Sequence, residues 1–337
     1  MIDGINNIVI LSGGSGNDAV LESLIKYGGY TDKNINIIVN AYDDGKSTGV
    51  CREVTNTLGV SDIRKNHYKL HKMLRGDRIN KSLIEWYENR LDIDKTFRTG
   101  NSVLDNYIVK FFNNPNSSLF DYNNFNVMNI IYSQMYREEG YEKTNSIFSN
   151  FLGIKDIVKL NSFDNIKIIA STEEGNIITD EGDIVEFCNF KDKINDIYFV
   201  GKSTCGLNKE AIDLINKADL IIISSGTFWS SIYPTLKYLD FYKYLNDSKA
   251  KKLWLINSSE DKDTYGVSNV DMFIDLQYLG VDFSGFNILI NNDASDILKI
   301  KSDIMDDFTV RKALGNKKGK HDSKLLWKAI KEIYGKV

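Results

Sequence analysis

The sequence predicts an α/β fold: a doubly wound, mostly parallel sheet with a helical insertion. Three observations predict it. Short continuous apolar runs recur at both ends of the chain, turns of small residues follow several of them directly, and amphipathic stretches come next. An uninterrupted apolar run suits a strand covered on both faces. Strands that alternate with helices build parallel sheets through crossover connections.

The first unit is Ile8-Val9-Ile10-Leu11, followed by Gly13-Gly14-Ser15-Gly16 and a helical stretch over 17–27 with Ala19, Leu21, Leu24 and Ile25 on its apolar side. A second strand, Ile35 to Asn40, runs into Asp43-Asp44-Gly45. Ser61-Asp62-Ile63-Arg64 then opens a helix through Leu74, with Ser61 or Asp62 as its N-cap. Residues 78–150 read as mainly helical, with apolar residues at helical spacing over Ile79 to Arg90 and Ser102 to Phe112, and a loop from Asn113 to Ser118. No linker sets this region off. It is expected to be an insertion packed on a single nucleotide-binding domain that spans 1–337.

A β-rich patch comes next: Ile166 to Ser171, the turn Glu173-Glu174-Gly175-Asn176, then Asn176 to Thr179 and a further segment to Phe187. Alternation resumes with the strand Ile197 to Val200 and the helix Asn208 to Lys217. The strand Leu220-Ile221-Ile222-Ile223 empties into Ser224-Ser225-Gly226-Thr227. Leu253 to Asn257 and Asn287 to Ile290 read as further strands, with a helix over Val270 to Leu279 between them. His321-Asp322 caps a final amphipathic helix.

Composition narrows the function classes. Hydrophobic content of 42% and charged content of 26% are those of an ordinary globular protein. A net charge of −4 argues against a nucleic-acid surface, which is usually basic. No apolar stretch approaches the ~18 residues of a membrane span. The first seven residues lack a basic region ahead of an apolar one, so no secretory signal is expected. Cys51, Cys188 and Cys205 are scattered, which reads as reduced thiols in a cytoplasm. The expected partner is a nucleotide-linked small molecule, with neither nucleic acid nor membrane; a homodimer stays open.

Gly13, Gly14, Ser15, Gly16 and Asn17 form a strand–turn–helix junction, where free backbone N–H groups and the positive end of a helix dipole can receive phosphate. The same glycines could also serve only a tight turn. Asp43 and Asp44 are adjacent carboxylates that repel each other, so a cation is a natural companion. Mg²⁺ would use one or two such groups together with phosphate oxygens. An exposed acidic loop is the plainer alternative. Lys46, Ser47 and Thr48 continue this loop with groups useful to phosphate, and Asp62 and Arg64 could add a third carboxylate and a guanidinium. Ser225, Gly226 and Thr227 repeat the opening logic, as do Asn101 and Ser102 with a weaker claim. Asp43, Asp44 and Asp62 are thus the candidate metal ligands, and Asp44 and Asp62 the candidate catalytic residues. His67 and His71, four apart on one helix, have no visible third ligand and read as a solvated face. Trp86, Tyr87, Tyr107, Phe111 and Phe112 could stack on a flat acceptor or pack helices together.

In order along the chain, these pieces resemble the family that joins 2-phospho-L-lactate transferases (CofD-like) with the YvcK-type gluconeogenesis factors. Ile10-Leu11-Ser12-Gly13-Gly14-Ser15-Gly16 looks like its opening glycine loop, and Asp43-Asp44-Gly45-Lys46-Ser47-Thr48-Gly49 like its DDGGSSG loop. Ser61-Asp62-Ile63-Arg64 is similar to GDIR, and Gly100-Asn101-Ser102 to GHSxGN. Ala218-Asp219-Leu220 through Gly226-Thr227-Phe228-Trp229-Ser230-Ser231-Ile232-Tyr233-Pro234 resembles ADLIxxGPGSLYTSIxP, and His321-Asp322 a late HD. The forms of the acidic loop and of the Gly226–Pro234 stretch are closer to the gluconeogenesis-factor branch. Lys46 stands where that family's DDGG run has its second glycine, Asn101 where GHS has histidine, and Ser61 where GDIR has glycine. The resemblance implies a Rossmann-like nucleotide fold. It also implies either binding of UDP-sugars without an established reaction, or Mg²⁺-dependent transfer of a phospho-linked group from a guanosine diphosphate conjugate to a deazaflavin alcohol.

Overall fold

Ten strands divide between two sheets in the computed structural model, which describes residues 1–76, 81–88, 90–91, 98–189, 191–257, 261–290, 309–312 and 321–335. In chain order they are β1 (Ile8–Leu11), β2 (Ile35–Val39), β3 (Val158–Leu160), β4 (Lys167–Thr172), β5 (Ile177–Ile178), β6 (Ile194–Val200), β7 (Leu220–Ile223), β8 (Lys251–Leu255), β9 (Phe286–Ile290) and β10 (Thr309–Lys312). Seven of them form one sheet in the order β10-β9-β8-β7-β1-β2-β3, and every neighbouring pair in it is parallel. This is the α/β architecture expected from the alternating elements.

Parity along each strand builds two apolar layers. Ile8 and Ile10 join Ile35, Ile37, Val39, Leu220 and Ile222 on one face, whereas Val9 and Leu11 join Ile38, Ile221 and Ile223 on the other. Successive side chains of a strand point to opposite faces, so a strand buried on both sides must be apolar at every position. The first layer is covered by α1 (Asp18–Glu22), which continues through π-helical turns over Ser23–Tyr27, by α3 (Ser61–Arg75), and by the insertion. Within and around the insertion lie α4 (Lys81–Glu88), α5 (Ser102–Phe112), α6 (Val127–Glu139) and α7 (Tyr141–Leu152). Part of the expected Ile79 helix lies outside the described residues. The second layer takes the smaller sheet β5-β4-β6 and the helix Lys209–Lys217.

Several elements differ from expectation. The segment up to Phe187 is not a strand but α8 (Glu181–Glu186), opened by Asp180, whose carboxylate accepts the Gly182 N–H. β6 leaves the main sheet and pairs antiparallel with β4. Its sequence buries Ile194 and Ile197 but exposes Tyr198 and Val200, which suits a sheet wet on one side. The N-cap of α3 is Val60 rather than Ser61 or Asp62, so both of these sit in the first helical turn. No helix among the described residues is long and apolar enough to cross a membrane.

The strand order reverses between β1 and β7. The chain moves outward through β2 and β3, returns to place β7 beside β1, and then moves outward the other way. Ligands of open α/β sheets collect outside the carboxyl ends of strands at such a reversal. Here those ends lead into Gly13–Gly16 and Ser224–Thr227.

Candidate functional site

The two small-residue turns at the reversal lock together. The Gly16 carbonyl accepts hydrogen bonds from Ser225 Oγ at 2.7 Å and Ser224 Oγ at 3.3 Å. A Cβ at Gly16 would overlap the Ser225 carbonyl, so only glycine allows this approach. Gly226 is gripped in turn by Asn257, which accepts its N–H and donates to its carbonyl, each at 2.9 Å.

Two cavities open on either side of this double turn and share Ser15 and Thr227 in their walls. The first, of about 240 Å³, is the more chemical. Helix starts converge on it: Gly45–Thr48 at the start of α2 (Lys46–Thr55), Ser61 and Asp62 on α3, Glu181 and Gly182 on α8, and Thr227, Ser230 and Ser231 on the helical segment after β7. Positive dipole ends therefore gather at one place, where Asp43, Asp44 and Asp180 already accept the N–H groups of Gly45, Glu181 and Gly182. Thr227 Oγ1 lies 2.6 Å from Ser230 Oγ and 2.9 Å from Ser231 Oγ, adding a knot of hydroxyls.

Four carboxylates line the same cavity: Asp43, Asp62 and Glu181, and Glu186, which is paired with Lys262. Asp43 accepts the Gly45 N–H at 3.1 Å and lies 3.4 Å from Thr48 Oγ1. Asp62 lies against the glycine loop, where a Cβ on Gly14 would collide with its Oδ1, and Lys65 Nζ is 3.6 Å from it. Burial pushes the Asp62 carboxyl above its usual range; Lys65 opposes the shift and Asp43 reinforces it. Burial, then the charges of Asp43, Asp62 and Asp44, push Glu181 well above its usual range. Crowded carboxylates of this kind favour a proton or a cation among them. Among the described residues, no three His, Cys, Asp or Glu side chains are grouped to hold an ion by themselves. Asp43, Asp62 and Glu181 are the carboxylates that could hold a cation here.

Asp44 departs from the expectation. Its carboxylate faces away from the cavity, accepts the Glu181 N–H at 3.1 Å and pairs with Lys167 at 3.5 Å. It is buried and anchors α8 rather than facing a ligand. Arg52, also buried, holds the same loop from below by donating to the Tyr42, Asp43 and Ile166 carbonyls. Gly49 is required there, since a Cβ would overlap the Asp44 carbonyl.

The remaining predicted residues divide. Gly14, Ser15, Lys46, Ser47, Thr48, Arg64 and Thr227 line the first cavity; Ser15, Gly16, Ser225, Gly226 and Thr227 line the second. Gly13 lies beneath them, its carbonyl accepting from Ser12 Oγ and Asn66. Asn17 is fully buried, donates to Asn66 at 2.6 Å and accepts from Lys69 at 3.1 Å, so its side chain is spent on the fold. The Arg64 guanidinium is largely engaged by Asn129 and the Tyr87 carbonyl, and burial lowers its pKa to about 10. Asn101 and Ser102 line neither cavity; Asn101 caps α5 by accepting from Val103 and Leu104. His67 and His71 are not on a solvated face. Both are buried, His67 against Tyr132 and His71 against the Leu152 carbonyl, and burial pushes His67 down to about 3.

Trp86, Tyr87, Tyr107 and Phe111 are buried in the helical layer, with Tyr87 stacked on Tyr68 and Trp86 on Phe151. Phe112 is partly exposed and edges onto Tyr122. These rings pack helices. Sequence reasoning missed Glu181, Asn129, Arg90 and Asn257. Of these only Glu181, just after Asp180 in a turn-rich stretch, carried a local signal, as the start of a helix.

The second cavity is larger, about 560 Å³, and is lined by Lys69, Lys72, Asn257, Asp261 and His321 beside the shared wall. Asp322 caps the final helix Ser323–Tyr334.

Comparison with known proteins gives the family and the fold. The model of the 2-phospho-L-lactate transferase CofD family matches residues 8–304. The chain is 24% identical over 280 residues to a putative gluconeogenesis factor of Aquifex aeolicus, covering 82% of this chain and 75% of that protein. It is 23% identical to the gluconeogenesis factor of Listeria innocua, over 81% of this chain and 72% of the other. A crystal structure of a UPF0052 family protein from Bacillus halodurans superposes with a TM-score of 0.72 at 20% identity, covering 97% of this chain and 98% of that one, which is a likeness of fold.

Proposed function

The chain belongs to the CofD family, and on that premise we propose that it binds a nucleoside diphosphate conjugate across the carboxyl ends of its central strands. One observation carries the reading. Helix N-termini and the carboxylates Asp43, Asp62 and Glu181 share a cavity that adjoins a second, larger one over two interlocked small-residue turns. Helix starts favour a phosphate, and carboxylates beside it favour a cation bridging to its oxygens. The two cavities offer separate room for the nucleoside and for the group attached to its diphosphate. Free cysteines and an acidic net charge suit a cytoplasmic metabolite-binding protein.

Mg²⁺ bound with such a ligand would be held by Asp43 and Asp62 and would supply neutralisation of the phosphate charge. The residues of the chain orient the ligand: the Gly14 to Gly16 turn lets the backbone approach, and the Thr227, Ser230 and Ser231 hydroxyls face the oxygens. Asp43→Asn is expected to weaken nucleotide binding far more in Mg²⁺ than in EDTA. Asp44→Asn is expected to lower the melting temperature and leave the Mg²⁺ dependence intact. Calorimetry in both buffers checks the pair, and equal losses for Asp43→Asn with and without the ion would sink the metal role.

Transfer chemistry is the second reading, favoured by the family model's description. It needs a platform for an acceptor beside the donor phosphates, and the rings of the insertion are mostly spent on packing, so we favour binding. A thermal-shift screen of UDP-sugars, GDP and GTP with and without Mg²⁺ tests the first reading. Stabilisation of ~2.7 kcal/mol is expected at a hundredfold excess over the dissociation constant. No shift with any of these nucleotides would overturn it. Release of free nucleotide from a donor conjugate in the presence of a deazaflavin alcohol would instead establish transfer.

A further inference from the structure

Thr227 stands where a helix ordinarily finds its cap, yet it does not cap. It is the residue ahead of the helical segment Phe228–Ile232, which continues through Tyr233–Lys237. Serine and threonine are favoured at that place because their side-chain oxygen accepts an N–H of the first turn. The Thr227 hydroxyl makes no such bond. Its Oγ1 lies instead with Ser230 Oγ and Ser231 Oγ, and Thr227 lines both cavities.

The missing cap comes from a distant part of the chain. Asp263, on the short turn Lys262–Thr264 beyond β8, accepts the Trp229 N–H with Oδ2 at 3.0 Å. Trp229 is the second residue of the helix, so this N–H is one that the Thr227 hydroxyl would otherwise take. Asp263 is only 2% exposed, and its Oδ1 has no hydrogen-bond partner among the described residues. Burying a carboxyl with one oxygen unpaired costs stability. A cap from Thr227 itself would satisfy the same N–H without that cost, so stability alone does not account for Asp263.

We propose that Asp263 is a positioning residue for the ligand site: by capping the helix in place of Thr227, it frees the Thr227 hydroxyl to face the cavities. The consequence for the ligand rests on the nucleotide-binding reading above; the exchange of caps belongs to the fold and can be observed without a ligand. Removing the Asp263 carboxyl leaves the buried Trp229 N–H without an acceptor. Rotation about the Thr227 Cα–Cβ bond is then expected to bring its hydroxyl onto that N–H. The helix keeps a cap, and the cavity wall loses a hydroxyl.

The experiment joins a crystal structure of ligand-free Asp263→Ala to calorimetry of UDP and GDP in Mg²⁺. Calorimetry is run on the unmodified chain, on Asp263→Ala, Asp263→Asn and Thr227→Val, and on the Asp263→Ala/Thr227→Val double variant. Asp263→Leu, of similar shape, serves in place of alanine if the latter does not fold. In the crystal, Thr227 Oγ1 is expected at about 3 Å from the Trp229 nitrogen. Loss of one hydrogen bond to the ligand is expected to cost Thr227→Val about fivefold in affinity, and Asp263→Ala the same. Both changes take the same hydroxyl from the cavity, so the double variant should also lose about fivefold, not the roughly twenty-five-fold of independent effects. Asparagine keeps an oxygen for the Trp229 N–H, and Asp263→Asn should bring affinity back to within about twofold of the unmodified chain. A Thr227 hydroxyl that stays with Ser230 and Ser231 in the Asp263→Ala crystal overturns the proposal. So do losses that multiply in the double variant, or a loss in Asp263→Asn equal to that in Asp263→Ala. If neither UDP nor GDP binds the unmodified chain, the nucleotide reading falls, while the crystal structure still decides whether the two caps exchange.

Discussion

Gly16→Ala is expected to abolish nucleotide binding, with a fall of more than about a hundredfold in affinity, and to cost about 1–3 kcal/mol of stability. The added Cβ has nowhere to go, because the Ser225 carbonyl already occupies its place and backbone cannot swing aside as a side-chain end can. The two turns must separate, which breaks the bonds from Ser224 and Ser225 to the Gly16 carbonyl. The wall between the cavities would then lose its shape. Gly14→Ala provides the contrast. Its Cβ would press on the Asp62 carboxylate and the Lys65 stem, both ends of side chains, so the fold should tolerate it while the ligand cavity does not. Calorimetry and thermal melts on both variants check this. Full affinity in a folded Gly16→Ala protein would mean that the interlocked turns are not a ligand platform.

The second large effect is structural. Asp164→Asn is expected to destabilise the protein by roughly 3 kcal/mol at pH 7, since hydrogen bonds to a charged acceptor contribute about 1.5–3 kcal/mol each and buried donors left unpaired add cost. Asp164 is fully buried. Its carboxylate accepts the N–H groups of Thr204, Cys205 and Gly206 at 2.6, 2.7 and 3.0 Å, and the hydroxyls of Ser203 and Tyr238 at 2.9 and 2.7 Å. Asparagine keeps the shape but replaces one acceptor oxygen with a donor that faces those N–H groups. Burial alone would raise the Asp164 pKa; the donors outweigh it and hold the carboxyl well below the usual carboxylate range. The sign follows from that depression. The stabilisation is fully present above the unfolded value of about 3.9 and is lost as pH falls below it toward the folded value. Denaturant melts should therefore show the deficit of Asp164→Asn narrowing as the pH is taken below about 4. A deficit independent of pH would show that charge plays no part.

Much of this protein was legible in its sequence because the decisive signals were local. Uninterrupted apolar runs at Ile8–Leu11 and Leu220–Ile223 announce strands buried on both faces, and each is one because helices or a second sheet cover both sides. The turns after them need small residues wherever the backbone comes close to another segment. Caps such as Asn208 and Asp322 fix helix starts through a hydrogen bond only two residues long. β6 was harder, since Ile197 to Val200 is apolar enough for either sheet and only its one-sided burial distinguishes the antiparallel edge.

What tertiary structure alone decided is which local signals meet. β7 lies beside β1 although more than two hundred residues separate Ile223 from Leu11, and nothing within either strand specifies that pairing. That adjacency turns two ordinary turns into one wall. Asp43 and Asp44 are neighbours of equal chemistry, yet one faces the cavity and the other is consumed by Glu181 and Lys167, because successive residues of an extended loop point opposite ways. Glu181 enters from a helix between two strands of the smaller sheet, so no spacing in the chain could pair it with Asp43. The sequence by itself determined the elements and the kinds of group at strand ends. The packing of distant segments determined which of those groups share a cavity, since proximity between them depends on contacts that no local pattern encodes.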